Sequence, residues 1–509
     1  MCKHDQHLVL DGHSLTPEDV RRVAIDRAVT CVIDDNACAK METSYALVRR
    51  IMASKKPTYG ISTGFGEFSH VYISESQNKA LQINLIRSHA SATGDLLPRQ
   101  VVRAMMLLRL NAFAIGYSGI NPVVADLLLA LLNNDIVPVV PCQGSLGASG
   151  DLANLAHMAL VLVGEGEAEA DGRVMSGAEA LRQYGLQPVT LTGKDGLALI
   201  NGTSMMLSLG IRALLDAERC LQAANAAAAL SLEALRGFRN AFDPRIHELR
   251  SQKGQILVAQ TLLHWLQGSE YADTREEDVQ DAYTLRCVPQ VHGATLDALC
   301  YVRDILNREL NAVTDNPLVF PETGEVISGG NFHGQPLALA LDLLGIATAE
   351  LANISERRTE RLVNPHLSNG LPAFLVHGGG VCSGLMIPQY VAASLVSENK
   401  ILAHPASVDS ITSSASKEDH VSMGAIAARK ASTIVDNTRR VIAIELMCAA
   451  QAIDLQERRR LGRGTEAVYR MIREHVAPLT EDRPPSPDIE AIQRVIGDGL
   501  LEEALNALL

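Results

Sequence analysis

Aromatic side chains are scarce in this chain, at 4% of 509 residues with a single tryptophan, although hydrophobic residues make up 47%. An interior with so few rings has to be built from Ala, Leu, Val and Ile, which suits closely packed helices. Positive charge is also short. A formal net charge of -13 denies the chain the basic face that nucleic acid or an anionic membrane would need, and leaves room only for a local basic pocket. The nine cysteines are odd in number and scattered, with no C-x-x-C pair. That argues against a zinc knuckle or a disulfide framework and for reduced thiols in a cytoplasmic protein. No apolar run reaches the ~20 residues that cross a bilayer; the one from Met105 to Ile115 is broken by Arg109 and Asn111. The opening Met-Cys-Lys-His-Asp-Gln-His is polar, unlike a secretory signal. Repeats and low-complexity linkers are absent too.

What the sequence does contain reads as helix. Thr16-Pro-Glu-Asp19 is a helix start, with Thr16 as N-cap and Pro17 in the first turn. Another helix is expected over Lys40 to Ser54, ending before Pro57. Leu81 to His89 favours helix by composition. Three Ala/Leu-rich spans, Met205 to about Arg239, Gln335 to about Leu362 and Val421 to about Arg460, exceed the ~10–14 residues of an ordinary globular helix. They predict an all-α bundle of long elements. Pro484-Pro-Ser-Pro487 marks a turn before a short last helix from Asp488.

Small residues crowd one stretch, Gly144-Ser-Leu-Gly-Ala-Ser-Gly-Asp-Leu-Ala-Asn-Leu-Ala-His157. Taken alone it reads as a loop or helix start; no Gly-Lys-Ser/Thr follows to make it a phosphate cradle, and Asp151 would repel phosphate. An Ala-Ser-Gly triple also permits an unusual reaction. The Gly150 nitrogen attacks the Ala148 carbonyl and closes a five-membered ring with loss of water, and Ser149 loses its hydroxyl as a second water. The methylidene that remains, conjugated to a carbonyl, is an electrophile that no ordinary side chain supplies.

Four other stretches carry polar groups of interest. Tyr59-Gly-Ile-Ser-Thr-Gly-Phe-Gly66 has too many glycines for a regular element and reads as a loop. Gln280, Tyr283 and Arg286 are spaced by three, which aligns them on one face if the segment is helical; an Arg there can hold a carboxylate through two parallel hydrogen bonds. Gly329-Gly-Asn-Phe-His333 reads as a turn with an aromatic anchor. Ser413-Ser-Ala-Ser-Lys-Glu-Asp-His-Val-Ser-Met423 reads as the start of the third long helix, where Ser416 and Asp419 make an approximate capping box and Glu418 is a first-turn acid.

Together these strings resemble the aromatic amino acid ammonia-lyases from the first helix to the tail, Ile354-Ser-Glu-Arg-Arg358 and Leu371-Pro-Ala-Phe-Leu375 included. The resemblance implies that Ala148-Ser149-Gly150 cyclises unaided to 4-methylidene-imidazol-5-one, with no metal and no diffusible cofactor. It implies that Tyr59, its pKa lowered, removes the substrate β-proton and that Tyr283 transfers a proton at the amine. Arg286 then holds the carboxylate, with Asn201 of Gly196-Leu-Ala-Leu-Ile-Asn-Gly-Thr203 and Gln280 in support, and Phe332 packs beside the ring. Ser88-His89 and Glu418-Asp-His-Val-Ser-Met423 resemble the histidine-specific members, so His89 and Glu418 are expected to bond an imidazole and the product to be trans-urocanate. Lys417, Ser62 and Gln335 depart from the common forms of these motifs.

The family likeness implies a fumarase/aspartase-like central bundle with a smaller mixed N-terminal domain, divided as 1–203 and 204–509. Long Ala/Leu helices with few rings suggest burial against identical copies, hence a homotetramer with shared sites. Two other outcomes compete with histidine elimination. One is a tyrosine or phenylalanine lyase or an aminomutase on the same fold; the other is a non-enzymatic scaffold, which would have lost Ala-Ser-Gly, Tyr59 or Arg286.

Overall fold

The computed structural model describes residues 7–54, 57–276 and 278–507, so Cys2 and all but His7 of the polar opening stretch lie outside the described residues. Helix accounts for 59%, in 19 helices among the described residues. The chain divides into two compact units. Met1–Arg212, Arg303–Leu341 and Pro405–Arg429 form the first; Ala213–Val302, Asp342–His404 and Lys430–Leu509 form the second. The chain therefore re-enters the first unit twice beyond the 203/204 boundary, and the cuts at 212, 302, 341 and 429 fall inside helices.

All described strands belong to the first unit, which makes it the mixed part of the molecule. His7–Leu10 pairs in parallel with Thr30–Ile33, and three further small sheets are antiparallel. Local chemistry starts the first helix as expected: in Pro17–Ile25 the Thr16 hydroxyl and the Asp19 carboxylate form a reciprocal capping box. The next helix, Asp35–Ala53, begins five residues earlier than composition suggested, because the Asp34 carboxylate accepts the Asn36 and Ala37 amides. In Arg99–Ala114 every residue from Val101 onward is buried, Arg109 and Asn111 included. Those two polar residues are thus interior groups within one helix.

The long helices are Ser204–Ala234, Val288–Leu310, Gln335–Val363 and Gly424–Asp454; the second was not anticipated, since Pro289 and Gly293 obscure it. The tail holds two short helices, Ser486–Gly497 and Leu500–Asn506. Gln335–Val363 also amends the reading of apolar runs: it is long and apolar enough to cross a membrane by length and composition, but 61% of that window is buried inside the protein, as for a core helix.

In the second unit three long helices meet at one buried carboxylate. Glu445 accepts Ser231 Oγ at 2.7 Å, Ser355 Oγ at 2.6 Å and the Arg358 fork at 2.5 and 2.8 Å. Both charged side chains are fully buried. Removing one partner of such a pair strands the other charge, at about 3–5 kcal/mol. Arg358→Met is therefore expected to lower the thermal midpoint sharply at fixed protein concentration, and Arg358→Met/Glu445→Leu to recover most of the loss; equal midpoints for parent and single variant would show the pair to be dispensable.

Candidate active site

The Ala148-Ser149-Gly150 stretch is a tight turn ahead of the Leu152–Leu162 helix. Ser149 has φ +55° and Gly150 φ +82°, two residues of positive φ in succession, which turn the chain sharply at this point. The turn is clamped: the Gly202 amide donates to Ser149 O at 3.1 Å, the Asp151 amide to Gly202 O at 2.8 Å, and Ser145 Oγ to Gly150 O at 3.1 Å. A Cβ on Gly150 would collide with the Gly202 backbone, so only glycine fits. Asp151, wholly buried, accepts the Met205 and Met206 amides at 2.9 and 3.0 Å, at the N-terminal end of the Ser204–Ala234 helix. Burial pushes its carboxyl up to about 7 against those two amides and the Ser145 hydroxyl. The clamped curl and the side-chain-free Gly150 position fit the cyclised group.

A cavity of about 770 Å³ opens beside Ser149 in the first unit, and Tyr59, Ser88, His89, Asn84, Glu67 and Glu418 contribute to its lining. Tyr59 rides the glycine loop, where Ser62 Oγ accepts the Thr58 amide at 2.9 Å and Phe65 packs edge-on against the Tyr59 ring at 6.5 Å. Its pKa is not lowered as expected. Burial raises it, the Gly66 amide opposes that, and the Glu418 charge raises it further. His89 closes the helix Glu75–His89. Its Nδ1 lies 2.8 Å from the Leu85 carbonyl; a carbonyl only accepts, so Nδ1 carries the hydrogen and Nε2 is the bare nitrogen. Burial lowers the His89 pKa, against the Leu85 bond and the charge of Glu418.

Glu418 is not a first-turn acid. The Gly424–Asp454 helix starts beyond it, and Ser413–Met423 is a loop with φ of +51°, +52° and +66° at Ser414, Ala415 and Ser416. Ser413 and Glu418 exchange backbone hydrogen bonds at 2.8 and 3.3 Å, which closes the loop and aims the carboxylate: Ser149 Oγ donates to Oε1 at 3.4 Å and Ser413 Oγ to Oε2 at 3.2 Å. The apparent capping box gives way to that pairing.

Asn201 is buried next to the clamp. Its Nδ2 donates to Asn316 O at 2.9 Å and Asp315 Oδ1 at 3.4 Å. Two acceptors there fix the amide orientation, and leave Oδ1 a buried acceptor without a partner. Asp315 is itself paired with Lys194 at 2.6 Å, both fully buried. Phe332 is half-buried in the turn after Gly330, whose neighbour Gly329 donates to Asn316 Oδ1 at 2.7 Å. Neither Asn201 nor Phe332 is among the residues lining the cavity.

Gln280, Tyr283 and Arg286 lie in the second unit, and none of them is among the lining residues. Only Tyr283–Arg286 is helical, a single turn; Gln280 precedes it in a bend, so the expected common helical face does not form. The bend is fixed by Asp281, which takes the Phe238 amide at 2.7 Å and pairs with Arg275. Tyr283 is 71% exposed, and the half-buried Arg286 lies over its ring at 4.6 Å, with its Nε buried and without a partner. Sequence reasoning overlooked Arg109, Lys194 and Asp315; a cation inside an apolar run, as at Arg109, was the available signal.

A sequence profile of the aromatic amino acid lyases matches residues 15–474. The histidine ammonia-lyase of Treponema denticola is 58% identical over 501 residues, covering 98% of this chain and 99% of its own. Among solved structures, the histidine ammonia-lyase of Trypanosoma cruzi superposes with TM-score 0.93 at 43% identity, over 99% of this chain and 96% of that one. The tyrosine aminomutase of Streptomyces globisporus has TM-score 0.93 at 38% identity, over 98% of both chains. Likeness that extends through both units and nearly end to end makes the chain a member of the aromatic amino acid lyase family, a carbon–nitrogen lyase.

Proposed function

We propose that the chain eliminates ammonia from L-histidine to give trans-urocanate. The observation that carries this reading is the lining of one cavity by Ser149, Tyr59, His89 and Glu418; the histidine ammonia-lyase relatives support it. Once cyclised, Ala148-Ser149-Gly150 would supply an electrophile for the substrate amine, which would make ammonia a better leaving group. Asn201 offers its unpaired Oδ1 to a nearby N–H, Phe332 packs beside the ring, Tyr59 removes the β-proton, and His89 and Glu418 hold the imidazole. The direct test follows ultraviolet absorbance of a conjugated acrylate on mixing with His, Tyr and Phe in turn. Product NMR separates elimination from an aminomutase outcome.

The described part of the cavity is short of positive charge. Among the described residues its lining includes two carboxylates, Glu67 and Glu418, and neither Lys nor Arg, while the substrate brings a carboxylate and Tyr59 needs positive charge to ionise. The exposed Tyr283 and the half-buried Arg286 beneath it, with Gln280, answer that need if a second copy presents them, with Tyr283 moving a proton at the amine. Sites completed by a second copy fit a homotetramer with shared sites, and the eight free cysteines among the described residues support a reducing, cytoplasmic setting. Light scattering is expected to report four chains. Refolding a mixture of inactive Ser149→Ala and inactive Arg286→Met is expected to restore part of the activity, because some sites then draw an intact group from each chain; no recovery, or an active monomer, would exclude sharing.

A further inference from the structure

Arg109 is a fully buried cation whose hydrogen bonds end on carbonyl oxygens. Nη1 reaches Asn201 O at 2.7 Å, and both terminal nitrogens reach Thr314 O at 3.4 Å. Sinking a guanidinium this deep is costly when no carboxylate is bonded to it directly, and Asp315, in the same loop as Thr314, is already taken by Lys194. The position of the acceptor suggests what the cation does. Asn201 O and the Gly202 amide belong to one peptide group, and that amide donates to Ser149 O at 3.1 Å. Gly202 has no side chain, and a Cβ there would collide with Arg109 Nη1 and Thr314. The chain of contacts runs from guanidinium to peptide carbonyl, through the peptide to its N–H, and on to the Ser149 carbonyl.

We infer that Arg109 is a positioning residue that polarises the Asn201–Gly202 peptide, so that its N–H draws electron density from the Ser149 carbonyl. This rests on the proposed cyclisation. Ring closure consumes the Ala148 oxygen and retains the Ser149 oxygen, and withdrawal through that carbonyl is what makes the conjugated methylidene electrophilic. A charge on one end of a peptide strengthens the hydrogen bond at the other, and Arg keeps its charge at any working pH.

The test uses cyanide as a small nucleophile on the whole protein, with intact mass as readout. Carbon attacks the methylidene, the electron pair moves toward the Ser149 oxygen, and water returns one proton, so the protein gains one HCN. Parent protein is first weighed: a species at full encoded mass would sink the cyclisation reading and leave Arg109 aside as a separate matter. Arg109→Gln removes the charge, and Arg109→Lys keeps it with poorer geometry. Both are expected to weigh two waters less than encoded. Cyanide addition to Arg109→Gln should be slowed roughly tenfold, a fraction of the 10²–10³ lost with a direct oxyanion donor, with Arg109→Lys between it and the parent; kcat should fall with KM unmoved. Addition at the parental rate by a ring-bearing Arg109→Gln, or by Arg109→Lys if the former does not fold, overturns the inference. So does a folded variant at full encoded mass, which would assign Arg109 to ring closure instead. If neither variant folds, the ¹³C-serine infrared difference between parent and Ser149→Ala decides: a carbonyl stretch below that of the free heterocycle in apolar solvent supports polarisation, and an equal one refutes it.

Discussion

Ser149→Ala should assemble like the parent and lose turnover by about 10³-fold or more, the scale on which loss of a bond-forming group is felt elsewhere. Alanine has no hydroxyl to eliminate, so no methylidene can form. The fold has little reason to notice. The Ser149 hydroxyl makes one long hydrogen bond, 3.4 Å to Glu418, whereas the clamp on this turn runs through backbone groups of Ser149, Gly202 and Asp151 that the substitution leaves in place. Circular dichroism and light scattering matching the parent, together with lost acrylate absorbance, are the expected results. Intact mass adds an independent check, since the parent should be lighter than encoded by two waters and the variant by at most one. A Ser149→Ala protein with near-parental turnover would remove the electrophile from the chemistry.

The second large effect concerns the choice of substrate. His89 and Glu418 are polar groups at the edge of a partly buried cavity, and a phenyl ring can bond neither. Polar groups left unpaired in a closed site discriminate by on the order of 10⁴. We therefore expect kcat/KM for His to exceed that for Phe on that scale. Glu418→Gln should weaken His turnover more than any residual Tyr turnover, and His89→Phe should shift activity toward Phe by removing a polar demand and adding apolar surface. Steady-state kinetics on the three amino acids measure all of this. Faster turnover of Tyr than of His would transfer the assignment to the tyrosine alternative.

Much of this was legible in the residues, where local chemistry dominates. The helix start at Thr16, the glycine loop under Tyr59 and the Ala/Leu-rich long helices lie close to where the sequence put them. The misreadings come from partners that helical spacing does not anticipate. Ser413–Met423 imitates a helix start, yet its pairing across to Glu418 holds three residues left-handed, and that preference appears only when the strand ends meet. Gln280 drops off the Tyr283–Arg286 turn because Asp281 is tied to Phe238, 43 residues back, and to Arg275 across the bend. Arg109 looked like an interruption in an apolar run; its acceptors are Asn201 and Thr314, 92 and 205 residues away. Tyr283 and Arg286 stay outside the lining within this chain, and on the proposed sharing of sites between copies the exposure of Tyr283 is the trace that one chain can carry.

The hydrogen that His89 gives to Leu85 sets what this end of the cavity can recognise. With Nδ1 engaged at 2.8 Å, Nε2 offers a lone pair, and Glu418 offers lone pairs as well. Such a wall selects for hydrogens borne on a heteroatom, whatever ring carries them. Imidazole brings one, phenol brings one, phenyl brings none, so tyrosine is the nearer impostor and is told apart by reach rather than by polarity. Methylation of histidine at either ring nitrogen erases the signal altogether: in its neutral form the ring then meets Nε2 lone pair to lone pair or with a methyl group, and a single carbon atom placed there makes the substrate a stranger.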